Sequence, residues 1–248
     1  MSTDKPMEGL TAIVTGAAGG VGSEVVSMMV ERGARVVAED VDPAVAEMES
    51  AEIAPLIGDV NDPATAPAAV ALAQERFGGL DVLVNNAAKF ALKPTLDTTD
   101  EEWDELMAIN VRSVFRHCKA ALPTLQGSRG AIVNMASTSG LTGAAGQLTY
   151  SATKGAIVQI TRVLAVEFAP DVRVNAVAPG AIETGFVNAA LAGIPAPEEA
   201  KQAVAALHPA GRFATPREIA EVVAFVASPA ASFVTGAIIS ADGGYTAQ

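Results

Sequence analysis

The sequence predicts an α/β fold: a doubly wound parallel sheet of about seven strands, flanked by helices and forming a single domain. Three observations predict it. Short apolar, β-branched runs alternate along the chain with stretches of helical apolar spacing, the pattern of strands joined by crossover helices. The first run passes through a glycine-rich turn into a helical stretch carrying Val25, Val26, Met29 and Val30. Finally, 248 residues of which 50% are hydrophobic suffice for one large core, and no repeat, low-complexity tract or linker divides them.

The first strand is expected over residues 10–15. Its turn runs Thr15, Gly16, three residues to Gly20, then Val21 and Gly22, which is not the GxGxxG spacing. Residues without side chains let a backbone approach a pyrophosphate, whose charge then sits at a helix N-terminus. Gly16, Gly20, Val21 and Gly22 are therefore cofactor-binding candidates. A second strand, 34–38, ends in Glu39 and Asp40. An acid somewhat over 20 residues beyond the glycine turn can accept hydrogen bonds from ribose hydroxyls and repels a 2′-phosphate, so Asp40 points to NAD over NADP. The alternative is that either acid is only a solvated loop residue. No Arg or Lys lies between residues 16 and 30, where a 2′-phosphate would need a cation.

Asp42–Pro43 and Asp62–Pro63 both have the form of a helix cap followed by its first turn. The third strand, 54–57, contains Pro55, which removes a ladder donor and places the strand at a sheet edge; the order 3-2-1-4-5-6 fits. Asp59 and Val60 follow its carboxyl end, where an adenine would lie. The fourth strand, 80–84, ends at Asn85 and Asn86, of which one is expected to be a turn former. Thr99 and Glu102 form a capping-box pattern ahead of a long helix through Trp103, Leu106, Ile109 and Val114. Asn110 stands inside it, competing with the backbone for hydrogen bonds unless something uses it. A fifth strand covers 131–135 and a loop rich in Gly, Ser and Thr follows. The helix of Tyr150 continues through Ile157, Ile160, Leu164 and Phe168, and a sixth strand, 172–177, stops at Pro179 and Gly180. From 183 to 208 the pattern loosens, as in a lid over a site. Thr215, Pro216 and Glu218 form another capping box before the helical stretch 219–226, and the last strand is expected over 234–240.

A net charge of −12 with scattered acids opposes nucleic acid and anionic membrane as partners. No uninterrupted apolar run reaches membrane-spanning length. The one cysteine, Cys118, has no internal disulfide partner and reads as a packed thiol, and residues 1–8 lack a basic segment followed by an apolar one. A cytoplasmic protein is expected. Lys89 and Lys93 read as solvated loop charges and His208 as a loop or capping side chain. No metal-ligand set is present. Phe186 and Leu148 fit either a substrate pocket or the core.

Chemistry is expected at Tyr150 and Lys154. Residues four apart share a helix face, and a unit charge about 4 Å from a phenol at an effective dielectric near 20 favours the phenolate by about 4 kcal/mol, roughly three pK units. That would bring Tyr150 near neutral pH, where a general acid/base works best. Ser137, 13 residues upstream at a strand's carboxyl end, is placed to hold a substrate oxygen.

Together these motifs resemble the short-chain dehydrogenase/reductase family over nearly the whole chain. Thr15, Gly16, Gly20 and Gly22 match its Thr-Gly-x-x-x-Gly-x-Gly turn, Asn85, Asn86 and Ala87 its Asn-Asn-Ala-Gly segment, and Tyr150 and Lys154 its Tyr-x-x-x-Lys. The resemblance implies a Rossmann fold and hydride transfer between NAD and a secondary alcohol or ketone. Tyr150 would be the acid/base, Lys154 would lower its pKa and hold the nicotinamide ribose, Ser137 would orient the substrate oxygen, and Asn110 would position a water in a proton relay. Pro179, Gly180, Ile182 and Thr184 would hold the nicotinamide end, and Asn86 and Ala87 the adenosine side. It also implies a homotetramer formed through the Asn110 and Tyr150 helices. Two departures stand out: Ala88 replaces the glycine of the asparagine segment, and Ala136 stands where a second serine is common. The lid carries only Glu198, Glu199 and Lys201 as charges between residues 185 and 207, so a neutral small-molecule substrate is expected. The rival readings are an NADPH-dependent oxoacyl thioester reductase and a non-catalytic nucleotide sensor.

Overall fold

The computed structural model describes residues 5–184 and 196–248. Seven parallel strands form one Rossmann-type sheet in the order β3-β2-β1-β4-β5-β6-β7: β1 (Thr11–Thr15), β2 (Arg35–Asp40), β3 (Ile53–Ile57), β4 (Val82–Asn85), β5 (Ala131–Met135), β6 (Arg173–Pro179) and β7 (Ile238–Ala241). Helices connect them, beginning with α1 (Gly20–Glu31), α2 (Thr65–Phe77), α3 (Asp100–Met107) and α4 (Ser113–Ser128). They continue with α5 (Leu148–Glu167), α6 (Pro197–Ala206) and α7 (Pro216–Ala227).

Strand alternation divides the core between the two faces. Val14, Val36, Ala38, Val84 and Val133 meet α1 and α7 on one side. Ile13, Val37, Leu83, Ile132 and Ala176 meet α2, α4 and α5 on the other. Register runs Thr15↔Glu39 and Val14↔Val84, so the order reverses at β1 and a crevice opens beyond its carboxyl end, where doubly wound sheets bind ligands. β3 is an edge, as Pro55 demands.

Both capping boxes form: Thr99 Oγ1 accepts from Glu102 N while Glu102 Oε2 accepts from Thr99 N, and Thr215 and Glu218 repeat the exchange. Asp42 caps a short 3₁₀ turn, Pro43–Met48, rather than an α-helix. The long helix expected after Thr99 is interrupted at Ala108–Arg112 by a π-helical turn, a local expansion often found at functional sites. It turns Asn110 inward, where only 1% of its surface is exposed. The last strand begins later than its apolar run suggested. Val234 N donates to Ala231 O, and Gly236 adopts φ +73°, so the chain is still turning where a strand was expected from 234. The expected lid lies partly outside the described residues, which exclude 185–195 and hence Phe186. Its described remainder includes α6. Leu148 begins α5 half exposed, in neither core layer.

Candidate functional site

A cleft of about 600 Å³ opens along the carboxyl ends of β1, β2, β4, β5 and β6. Its floor is the glycine turn. Gly16 sits at φ +67°, and a Cβ there would lie 2.9 Å from Ala87 Cα. A Cβ on Gly22 would lie 1.9 Å from Gly16 O, which excludes a side chain there, and one on Gly20 would lie 3.1 Å from the Thr184 methyl, a tight contact. Gly19 precedes α1 without a side-chain hydrogen bond, leaving helix N–H groups directed into the cleft as an anion seat. The asparagine segment locks this turn: Thr15 Oγ1 accepts from Asn86 N and Ala87 N, both at 3.0 Å, and Asn86 Nδ2 donates to Thr15 O and Gly16 O. Asn86 and Ala87 line the cleft, but the Asn86 amide is spent on the loop.

Of the two acids at the end of β2, only Asp40 faces the cleft. Its Oδ2 accepts from Ala18 N and its Oδ1 from Asp42 N, both at 2.9 Å. Glu39 is not a solvated acid: it is wholly buried on the opposite face. Gly58, Asp59 and Val60 form the adjoining wall. Asp59 Oδ1 accepts from Asn61 N at 2.8 Å.

At the other end lie Ser137, Tyr150 and Lys154. Ser137 ends the strand direction of β5 and its Oγ accepts from Ser139 N at 3.1 Å. The Tyr150 ring packs edge-on to Phe90 with centroids 4.9 Å apart. Lys154 Nζ lies 5.6 Å from the centre of the Tyr150 ring and donates to Met135 O at 2.7 Å. The expected acidification of the phenol is not found. Burial raises Tyr150 to about 12, against the downward pull of the Ser137 hydroxyl, because a phenolate in this position loses its hydration. Burial lowers Lys154 to about 8. At neutral pH the chain alone therefore presents a neutral phenol, a proton donor, beside a largely protonated amine.

Asn110 does not line the cleft; its neighbour Ile109 does. Asn110 Oδ1 accepts from Lys89 N, and Nδ2 donates to Lys89 O and to Thr153 Oγ1, at 2.8, 2.8 and 3.1 Å. It thereby ties the substrate-side loop to the helix that carries Tyr150. Asn85, the other candidate turn former, is instead a buried link: its Nδ2 donates to Asn134 Oδ1 at 2.8 Å and Asn134 Nδ2 to Thr161 Oγ1 at 2.9 Å, joining β4, β5 and α5. Such a polar ladder interrupts apolar strands, which was its only trace in the sequence. Asn85 Nδ2 also meets Cys118 Sγ, and burial raises that thiol to about 12; Cys118 is inert packing.

Pro179, Gly180, Ile182 and Thr184 form the roof. His208 holds them in place. Its Nε2 accepts from Ala181 N at 3.1 Å while Nδ1 lies 3.0 Å from Val204 O; a Cβ on Gly180 would lie 2.6 Å from Nε2. This imidazole is a brace, which its setting among loop residues had concealed.

A second cavity of about 330 Å³ shares Ser137, Tyr150, Gly180, Ile182 and Thr184 with the first and extends to Phe90, Leu92, Thr142, Gln147, Leu207 and Tyr245. Among the described residues, no Asp, Glu, Lys or Arg lines it. Lys89 and Lys93 pair with Glu105 and Glu102 at the rim, at 2.6 and 2.7 Å. No cluster of described His, Cys, Asp or Glu could hold a metal ion, and no described helix is long and apolar enough to cross a membrane.

A family model described as enoyl-(acyl carrier protein) reductase matches residues 16–246. The chain is 38% identical to a 3-oxoacyl-[acyl-carrier-protein] reductase of Vibrio cholerae, over 96% of this chain and 98% of that protein. It is 42% identical to a cis-4-hydroxycyclohexanecarboxylate dehydrogenase of Sinomonas cyclohexanicum, over 95% and 96%. A crystal structure from Brucella melitensis, titled short-chain dehydrogenase/reductase SDR:glucose/ribitol dehydrogenase, superposes with a TM-score of 0.89 at 39% identity, covering 96% of this chain and 97% of that one.

Proposed function

Because the chain belongs to the short-chain dehydrogenase/reductase family, a family of oxidoreductases, we propose that it transfers a hydride between NAD and a neutral secondary alcohol or its ketone. The observation that carries this reading is the meeting of the two cavities at Ser137 and Tyr150. One cavity, of about 600 Å³, runs from Asp40 and Asp59 to Tyr150, and the other, of about 330 Å³, is lined among the described residues by no Asp, Glu, Lys or Arg and by the imidazole of His208. The dinucleotide, when bound, supplies the hydride acceptor or donor.

Tyr150 gives its proton to the substrate oxygen as a ketone is reduced and takes one as an alcohol is oxidised. Ser137 orients that oxygen through its hydroxyl. Lys154 holds the nicotinamide ribose and, once drawn from Met135, favours the phenolate. Asn110, with its amide committed to Lys89 and Thr153, supports the site from the π-helical turn by bracing the Lys89 loop against the helix of Tyr150 rather than by holding a relay water. Gly16, Gly20, Val21 and Gly22 seat the pyrophosphate at the N-terminus of α1. Asp40 accepts from the adenosine ribose hydroxyls, Asp59 and Val60 flank the adenine, and Asn86 and Ala87 border the adenosine side. Pro179, Gly180, Ile182 and Thr184 close over the nicotinamide.

NAD rather than NADP is favoured because a carboxylate faces the ribose position and, among the described residues, no Lys or Arg adjoins Asp40, Asp59 or Val60 in the cleft wall. Arg76, the one base between β2 and β4, pairs with Glu49 instead. The Sinomonas relative is named for a ring alcohol bearing a carboxylate; the uncharged pocket favours a ring without one. The exposed Phe115, Val163 and Val166 on α4 and α5 support a homotetramer, with a mass four times 25.1 kDa, and the single buried cysteine fits a cytoplasmic setting. Screening cyclic and aliphatic secondary alcohols with NAD, and following reduced cofactor by absorbance, tests the assignment. Turnover with NADP and an oxoacyl thioester alone would replace it with the reductase reading.

A further inference from the structure

β2 ends in two acids that strand geometry sends to opposite faces. Asp40 looks into the cleft, whereas Glu39 shares the side of Val37, under α2 and α4. A carboxylate with no exposed surface needs a partner, and Glu39 has one in His117 from α4. His117 Nε2 lies 3.1 and 3.0 Å from the two carboxylate oxygens, and the imidazole itself is 3% exposed. The other ring nitrogen, Nδ1, lies 2.9 Å from Ser113 O. A carbonyl only accepts, so Nδ1 carries hydrogen, and the contact between Nε2 and the carboxylate requires one further proton. Burial opposes a charged imidazole here, but the Glu39 carboxylate and the Ser113 carbonyl prevail and raise His117 above its ordinary value.

The pair belongs to a larger grip. Arg116, the preceding residue of α4, donates to Asn61 O in the loop after β3. Two successive side chains of one helix thus hold the end of β2 and the loop after β3, which border the Asp40 end of the cleft. The end of β2 in turn anchors the glycine turn: Glu39 O accepts from Ala17 N at 3.0 Å, and Asp40 Oδ2 from Ala18 N at 2.9 Å. Asp40 O also accepts from Gly58 N at 2.9 Å. Neither Glu39 nor His117 lines the cleft.

We propose that Glu39 and His117 are positioning residues for the adenosine half of the dinucleotide. The buried pair fixes the end of β2 and, through it, both the reach of the Asp40 carboxylate and the seat of the glycine turn. This rests on the dinucleotide reading of the cleft given above. Replacing both members together by apolar residues is expected to keep the fold, since removing both charges leaves neither buried and unpaired.

The test compares binding of NADH with binding of reduced nicotinamide mononucleotide, which lacks the adenosine half, by calorimetry on the full-length chain. Glu39→Ala and the double variant Glu39→Leu/His117→Phe are expected to raise the Kd for NADH about tenfold, the loss of one hydrogen bond to a charged group. The Kd for the mononucleotide is expected to stay within about twofold, because the nicotinamide end has its own brace at His208. Glu39→Gln, whose amide can still donate to Nε2, is expected to recover most of the affinity. Should Glu39→Ala not fold, the double variant carries the test. Wild-type NADH affinity in the double variant, or an equal loss for both probes, would overturn the proposal. A wild-type chain that binds the mononucleotide but not NADH would sink the dinucleotide reading instead, and this inference with it.

Discussion

Lys154→Met removes the ammonium beside Tyr150 while keeping a stem of similar length. In the structure Nζ lies 5.6 Å from the centre of the phenol ring. At an effective dielectric near 20, a unit charge about 5–6 Å from the phenolate oxygen favours the phenolate by about 3 kcal/mol, roughly two pK units. Burial outweighs that pull in the chain alone, so the effect is expected of the cofactor complex, with the amine drawn from Met135. Burial brings the amine itself to about 8, so at pH 7 it is about nine-tenths charged and nearly the whole effect is available. Alcohol oxidation needs the phenolate, whose fraction rises tenfold per pH unit below its pKa. The assay is the initial rate of alcohol oxidation from pH 6 to 10 at saturating NAD and alcohol, wild type against variant. The rising limb of the variant is expected about two units higher, giving a rate about a hundredfold lower below about pH 8 and a difference that narrows above it as the amine loses its charge. A uniformly lower rate with the limb unmoved would refute the electrostatic argument and leave Lys154 as a ribose ligand only.

Three further outcomes are expected. Gly22→Ala places a Cβ 1.9 Å from Gly16 O and 2.8 Å from Asn86 Nδ2; it should lower unfolding stability by about 1–3 kcal/mol in urea titration and weaken NADH binding at least about tenfold. Asp40→Ser removes the carboxylate that faces the ribose position, and the ratio of kcat/KM with NAD to that with NADP should fall by about tenfold or more, the scale of one hydrogen bond to a charged group; an unchanged ratio would contradict the reading of Asp40. In a Tyr245→Phe variant without cofactor, Tyr150 is the only tyrosine left. Since burial raises it to about 12, ultraviolet titration should show no phenolate absorbance at pH 10, the ordinary midpoint of an exposed tyrosine.

The strand order was legible because Pro55 marked an edge and the glycine turn marked the switch point, and the observed sheet has that order. The candidates also converge in space: apart from Asn110, every proposed catalytic or cofactor residue lines one cleft. Asn110 was visible as an anomaly, but its direction depends on a π-helical turn that residue spacing does not announce. The place of Glu39 was left open because the sequence shows two acids and not the face each takes; its partner His117 lies 78 residues away, beyond any local pattern. The pKa of Tyr150 failed for a related reason. A one-turn spacing places two side chains on one helix face, whereas the cost of burying a phenolate comes from residues remote in sequence such as Phe90, whose ring packs on Tyr150. The last strand shifted because a φ of +73° at Gly236 overrides an apolar run.

The proposed reaction depends on Tyr150 as the group that exchanges a proton with the substrate oxygen. Tyr150→Phe removes that hydroxyl and leaves the ring against Phe90. With an alcohol identified by the NAD screen, the rate of cofactor reduction should fall by about 10²–10⁴-fold, while the Kd for NADH stays within about twofold because the adenosine half and the glycine turn are untouched. A variant that binds NADH normally and retains more than about a tenth of the wild-type rate would contradict the assignment.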